Sequence, residues 1–363
     1  MVESQEGETV FLRPDLRDTE GWWFYWCFRV RGVADRRLRF VFRGDDPIGV
    51  RGPAVSMNGG GTWRWLGRDD TAEGAFSYLF PPGSEEVRFA FTIPYVQEDL
   101  DRFLDGLART PHLRRDVLCS SRKGRSVELL RLGRLDGQCR HRLLVTCRHH
   151  ACEAMASFVL EGIVEEVLCD STEGRWLREH VEFLVVPFVD KDGVEDGDQG
   201  KNRRPHDHNR DYAGASLYPS VAAIRQLVPT WSQGRLRMAL DVHCPWIRGE
   251  YNEFVYFPGP SNREHAESLA RFSRILESSQ TSGLQYSAED NLPYGQGWNT
   301  HQNYTGGKSC AAWCSELLEN RLATTIEIPY ANANGAEVNA ESARAFGRDL
   351  ARAMPAFLQE EEP

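Results

Sequence analysis

Two places far apart in the chain carry side chains whose types suit a catalytic metal site. The apolar stretch Leu143 to Thr146 reads as a strand. It is followed at once by Cys147, Arg148, His149, His150, Ala151, Cys152 and Glu153, and then by a helical run from Ala154. In a sheet flanked by helices the carboxyl ends of strands open onto the ligand crevice, so this strand-to-helix turn delivers His150 and Glu153 there together. A second buried strand, from Leu236, closes on Asp241, Val242 and His243. Two imidazoles and one carboxylate form a donor set for catalytic zinc, which keeps its fourth position for water. Asp241 stands where a carboxylate can orient a ligating imidazole. A His three residues before a Glu is common by chance; the second strand-end histidine gives the pair weight.

The remaining chemistry lies in a long polar loop and a late strand. The segment from Pro187 to Tyr212 is loop-like, and unstructured loops of that length are functional or disordered. Arg203, Arg204 and Arg210 fall within eight residues of one another there and offer planar donors to a carboxylate or an oxyanion; otherwise the run is a solvated charged face. His206, Asp207, His208 and Asp211 form a rival metal site, ranked second because no strand end sets their geometry. Asp190, Asp192, Asp196 and Asp198 suggest a calcium loop, but its fifth position would be Val194, which has no ligating group. In Ala323 to Pro329 a single carboxylate, Glu327, interrupts an apolar strand. A buried Glu is costly unless paired, so Glu327 is either half of an inward salt bridge or a general base of raised proton affinity.

These residues need a scaffold, and 363 residues suffice for two domains of ordinary size. Hydrophobic residues make up 41% and charged residues 26%, with 18 Phe, 11 Tyr and 10 Trp, which supplies packed cores and excludes a mainly disordered chain. The 43 basic and 53 acidic side chains give a net charge of -10, which argues against nucleic acid or an anionic membrane as partner. No apolar run approaches the ~18 residues of a membrane span, and Met1 to Pro14 is polar and acidic where an export signal would be basic and then apolar. Nine scattered cysteines, an odd number, fit a reducing cytoplasm.

Between Gly21 and Phe91, the aromatic and β-branched segments Trp22 to Val30, Leu38 to Phe42, Trp63 to Leu66, Ser77 to Phe80 and Val87 to Phe91 alternate with turn clusters. They predict a small antiparallel β-sandwich. Glu98 to Arg109 has helical spacing and ends before Pro111, which divides the chain into residues 1–110 and 111–363. Beyond Cys119, strands at Leu143 to Thr146, Phe183 to Val189, Leu236 to Asp241 and Ala323 to Ile328 alternate with helices at Ala154 to Cys169, Arg263 to Glu277 and Glu337 to Phe357. That rhythm predicts an α/β domain with a mixed central sheet and helices on both faces.

With these pieces in order, the sequence resembles the zinc metallocarboxypeptidases, and within them a bacterial-type member of the cytosolic carboxypeptidase branch that includes the tubulin deglutamylases. The resemblance is carried by His150-Ala151-Cys152-Glu153, Asn209-Arg210, Asp241-Val242-His243 and Thr325-Ile326-Glu327-Ile328. Phe91 to Tyr95 is similar to the branch's Pro-Tyr segment ahead of the catalytic unit, so the likeness runs from about residue 10 to 357. It implies one zinc per chain held by His150, Glu153 and His243, a terminal carboxylate clamped by Asn209 and Arg210, and Glu327 as base toward the attacking water. Arg203 is implied as the oxyanion residue, with Arg204 its competitor because the stretch before Asn209 is short, and Tyr304 as the family's mobile tyrosine. The expected reaction is hydrolysis of the C-terminal peptide or isopeptide bond of a peptide or protein, with Lys308 and Arg248 favouring glutamate. The alternatives are a deacylase of small N-acyl amino acids on the same scaffold and an inactive binding homologue.

Overall fold

The structure, a computed structural model, describes residues 1–317 and 321–360. Nine strands fill the first part of the chain: β1 (Val2–Glu6), β2 (Thr9–Leu12), β3 (Cys27–Arg31), β4 (Arg37–Phe42), β5 (Ala54–Ser56), β6 (Arg64–Trp65), β7 (Thr71–Ala72), β8 (Ala75–Leu79) and β9 (Glu86–Ala90). They assort into a five-stranded sheet, β1-β2-β4-β8-β7, and a four-stranded sheet, β3-β9-β5-β6. Alternation along β4 buries Leu38, Phe40 and Phe42 and exposes Arg37 and Arg39, so one face of the sheet is apolar. That face meets the other sheet through aromatic pairs, with Phe40 against Phe28 at 5.3 Å and against Phe89 at 5.5 Å between ring centroids.

The sandwich departs from the purely antiparallel expectation at one pair: β2 runs parallel to β4, because β3, which lies between them in the chain, belongs to the other sheet. The expected strand from Trp22 begins only at Cys27. Trp22 to Trp26 pass along the rest of the molecule instead, with the Phe24 ring 5.1 Å from Trp246 and 6.2 Å from Tyr330. Helix α1 (Gln97–Gly106) follows, and residue 110 lies in the connection to the next strand.

The second part comprises β10 (Leu113–Ser120), β11 (Ser126–Gly133), β12 (His141–Cys147), α2 (Ala154–Leu168), α3 (Thr172–His180), β13 (Val181–Val186), α4 (Lys191–Asp196), α5 (Pro219–Ser232), β14 (Leu236–His243), α6 (Arg263–Ser279), α7 (Cys310–Cys314), β15 (Leu322–Glu327) and α8 (Ala340–Glu360). Its six-stranded sheet has the order β10-β11-β13-β12-β14-β15. The four strands β13, β12, β14 and β15 are parallel, and the β10–β11 hairpin adds an antiparallel edge. Strands β12 and β13 are buried at every residue, as parallel strands covered on both faces must be.

Leu143 and Val145 pack in the core shared with α2, α6 and α8, while Leu144 packs in the core shared with α5 and α7, so helices cover both faces. From β12 the chain crosses to β13 on one side and later to β14 on the other. The connections therefore diverge above the carboxyl ends of β12 and β14, where such sheets open a crevice.

Candidate metal centre and active site

Chain geometry at the end of β12 builds the first half of the site. Arg148 leaves the strand in the left-handed region (φ 58°), and its buried guanidinium holds the turn by donating to the Tyr95 carbonyl oxygen at 3.0 Å and to Ser157 Oγ at 2.9 Å. His150 then faces the crevice, and Glu153, fully buried, stands at the start of α2. Gly200 packs against this turn: a Cβ there would lie 2.4 Å from the Ala151 nitrogen, and its φ of +81° is one that side chains disfavour. The second half comes from register. His243 at the end of β14 pairs with Glu327 at the end of β15, so both side chains lie on the same face of the sheet.

The three expected metal donors meet. His150 Nδ1 lies 2.9 Å from Glu153 Oε1 and His243 Nδ1 lies 2.8 Å from Glu153 Oε2, and one ligand atom from each residue falls within 4.8 Å of the others. The opposite imidazole edges are taken by carboxylates: both Asp207 oxygens lie 3.2 Å from His150 Nε2, and Asp241 Oδ2 lies 2.7 Å from His243 Nε2. A carboxylate at each Nε2 favours the tautomer that carries the proton there and keeps the Nδ1 lone pair for a cation, as a His2Glu zinc site requires. Burial alone would raise the Glu153 carboxyl, but Lys201, His243 and His150 hold it well below the usual carboxylate range, ionised as a ligand must be. Residues His149, Asp241 and His243 form a second potential donor group behind the first, with His149 Nε2 2.8 Å from the Tyr212 hydroxyl.

A cavity of about 520 Å³ opens above these donors and is lined by His150, His243, Asn209, Arg210, Tyr304 and Glu327 among others. Glu327 is buried, and burial pushes its carboxyl above the usual range against the lowering influence of Lys201 and His243. Arg210 is held by Nε donating to the Asn303 carbonyl oxygen at 3.0 Å and by Nη1 donating to the Asn209 carbonyl oxygen at 2.8 Å, and its guanidinium lies 5.2 Å from the Tyr304 ring centroid. The Tyr304 hydroxyl donates to Asn299 Oδ1 at 2.9 Å.

Arg203 does not join them. Its guanidinium is enclosed by carboxylates, Asp198 at 3.1 Å, Asp18 at 3.7 Å and Asp190 in closer contact, and it lines a separate small cavity. Three acids in a buried setting satisfy the cation where it stands, so the expected oxyanion role does not fit this arginine. Arg204 is largely exposed and pairs with Glu20. Lys308 pairs with Glu316 at 2.7 Å and is not part of the cavity lining, whereas Arg248 is.

The rival metal site dissolves for a similar reason. Asp207 turns to His150, Asp211 accepts from the Leu217 and Tyr218 amides at 2.9 Å, and His208 stacks on the Tyr218 ring at 3.5 Å. Two roles in the site differ from the sequence reading: Asp207, expected in the rival metal site, instead partners His150, and Lys201, given no role there, lines the cavity.

A family model described as zinc carboxypeptidase matches residues 100–349. Among curated proteins, cytosolic carboxypeptidase 6 of Caenorhabditis elegans is 24% identical over 299 residues, 73% of this chain and 63% of its own length. Cytosolic carboxypeptidase 3 of Mus musculus is 26% identical over 211 residues, 55% of this chain and 21% of its own. The chain thus spans less than two thirds of the length of these relatives. Among solved structures, a metallo-carboxypeptidase from Burkholderia cenocepacia superposes with a TM-score of 0.80 at 19% identity, covering 99% of this chain and 96% of that one. A metallo-carboxypeptidase from Pseudomonas aeruginosa in complex with (2-guanidinoethylmercapto)succinic acid gives 0.77 at 21% identity, with coverage of 99% and 96%. At these identities the structural likeness is one of fold.

Proposed function

The chain belongs to the zinc carboxypeptidase family, and on that premise we propose that it is a zinc-dependent carboxypeptidase that releases single residues from the C-terminus of a peptide or protein by hydrolysing a peptide or isopeptide bond. The observation that carries the reading is the meeting, in one cavity, of the His150, Glu153 and His243 donors with the Arg210 guanidinium and the Glu327 carboxylate.

His150, Glu153 and His243 would hold the zinc, which when bound would supply Lewis acidity toward the scissile carbonyl and the attacking water. The protein's own groups do the rest. Arg210, with Asn209 beside it, receives the terminal carboxylate, for which a planar guanidinium has matching geometry. Glu327 takes the proton of the attacking water on its carboxylate and passes it to the leaving amine. Tyr304, beside Arg210, closes over the bound terminus. Arg248 on the cavity wall favours an acidic terminal residue.

We assign residues 1–110 to a sandwich domain and 111–363 to the catalytic domain, and place the protein in the cytoplasm, consistent with nine free cysteines. No described helix is long and apolar enough to cross a membrane. The test is to purify the chain, measure zinc and follow amino-acid release from peptides and from N-acyl amino acids in parallel. Stoichiometric zinc, activity abolished by chelation and restored by zinc, and preference for peptides are the expected results; a zinc-loaded protein inert on peptides overturns the proposal.

A further inference from the structure

The loop expected to bring an arginine to the site brings a lysine instead. Lys201 is 9% exposed and lines the cavity with His150, His243 and Glu327. Its ammonium lies 2.8 Å from Glu153 Oε1 and donates to the Cys244 carbonyl oxygen at 2.7 Å, with the Trp246 ring centroid 5.8 Å away. Two of its three N–H bonds are thereby engaged, and the third is left for the cavity.

The position is built. Thr19 Oγ1 donates to the Lys201 carbonyl oxygen at 2.5 Å, Asp18 Oδ2 accepts from the Gly200 amide at 2.8 Å, and Gln199 Oε1 accepts from the Phe24 amide at 2.8 Å. The segment between β2 and β3 therefore clamps the loop so that Lys201 meets the start of α2. The same clamp sends Arg203 into its carboxylate cage and leaves Arg204 outside.

We propose that Lys201 is the oxyanion-stabilising residue of this chain, an inference that rests on the peptidase reading above. As the water oxygen bonds to the scissile carbonyl carbon, the π electron pair of the C=O bond moves onto its oxygen, and the Lys201 N–H donates to that charge. The charge returns to the carbonyl when the C–N bond breaks and the amine leaves with the proton carried by Glu327. An ammonium already fixed at a buried position on the cavity wall stabilises that charge without reorganising. With a metal held by Glu153, that carboxylate would compete less for the ammonium.

The experiment compares Lys201→Met, Lys201→Arg and Arg204→Ala in the zinc-loaded full chain. It reads bound zinc, kcat and KM on one peptide, and the calorimetric affinities of a phosphonate analogue of that peptide and of its product amino acid. Removing a preorganised donor costs about 10²–10³ in kcat. Lys201→Met is therefore expected to keep its zinc and its product affinity, lose kcat by that factor with KM changed little, and lose phosphonate affinity in parallel. Lys201→Arg recovers part of both losses, and Arg204→Ala behaves as wild type. Should the Met variant not fold, Lys201→Gln is read by the same ratios. Turnover within about threefold of wild type, equal loss of phosphonate and product affinity, or loss of zinc overturns the assignment, the last making Lys201 a counter-ion of Glu153. Wild-type protein inert on every peptide overturns the peptidase reading instead, so the two failures are distinct.

Discussion

Asp241 faces the Nε2 edge of His243 at 2.7 Å, and this contact turns the Nδ1 edge of the same imidazole toward Glu153. The other Asp241 oxygen accepts from Thr146 Oγ1 at 2.7 Å and lies 2.8 Å from His149 Nδ1, so the carboxylate is braced on both sides. In Asp241→Asn the amide group can present a donor to Nε2, which shifts the proton to Nδ1, the atom the metal needs. Zinc affinity is expected to fall about 10- to 100-fold. Competition against a chelator of known affinity measures it, and an unchanged constant would show that Asp241 has no hold on the tautomer.

Glu327 and Glu153 are both buried carboxylates beside Lys201, yet their roles should separate cleanly. Glu327 Oε2 has no hydrogen-bond partner among the described residues, as befits a group reserved for a proton. Glu327→Gln should keep zinc and lose about 10²–10⁴ in turnover, whereas Glu153→Ala should lose the metal itself. Metal analysis beside a rate assay decides this. A Gln variant that still turns over removes Glu327 from the base role.

What could be read from the sequence follows the physics of parallel sheets. Strands β12, β14 and β15 are buried on both faces and show as apolar runs, so the polar residues at their ends, His150, His243 and Glu327, stand out. The β10–β11 hairpin lies at the edge, where Arg114, Arg115 and Asp116 break any such run, and it escapes notice. Lys201 and Arg203 could not be ranked from local sequence. Their orientations depend on Asp18 and Thr19, about 180 residues earlier, whose pull on the loop has no local signature. Asp207 looked like a metal ligand because a carboxylate that orients a ligand has the same chemistry as one that binds the ion.

Packing supplies a prediction remote from the cavity. Helices α2 and α8 cross so closely that a Cβ on Gly347 would lie 2.1 Å from the Val159 carbonyl oxygen, and one on Gly162 would lie 2.0 Å from that of Arg344. Backbone cannot yield as a side-chain tip does, so Gly347→Ala is expected to destabilise by about 1–3 kcal/mol or more, outweighing the gain of up to about 1 kcal/mol in helix propensity. A drop in Tm with zinc stoichiometry retained is the expected result; an unchanged Tm would mean that the helices separate freely.

Acid should loosen the loop around α4. Asp196 accepts from Arg125 at 2.7 Å and also from Lys123, and these hydrogen bonds, Arg125's first, bring its carboxyl down to about 2. A carboxyl with a folded pKa below its unfolded value contributes stability above the unfolded pKa and loses it as pH falls through the folded one. The stability difference between wild type and Asp196→Asn should therefore be constant above about pH 5 and shrink toward pH 2. Paired denaturant titrations across that range test it, and a gap that persists at pH 2 would place the stabilisation elsewhere.

Terminal side-chain selection should depend on Arg248 and not on Lys308. Arg248 is a cavity-wall cation held by the sandwich, with Nη2 donating to Asp46 Oδ2 at 2.8 Å and to the Ile48 carbonyl oxygen at 2.6 Å. Lys308 spends its charge on Glu316 outside the lining. A hydrogen bond to a charged group contributes about 1.5–3 kcal/mol, so Arg248→Ala should lower kcat/KM for glutamate-terminated peptides about 10- to 100-fold relative to leucine-terminated ones. Lys308→Ala should leave the ratio unchanged. Matched peptide pairs differing only in the last residue give the measurement, and equal loss on both members of a pair would make Arg248 a wall of the cavity with no part in selecting charge.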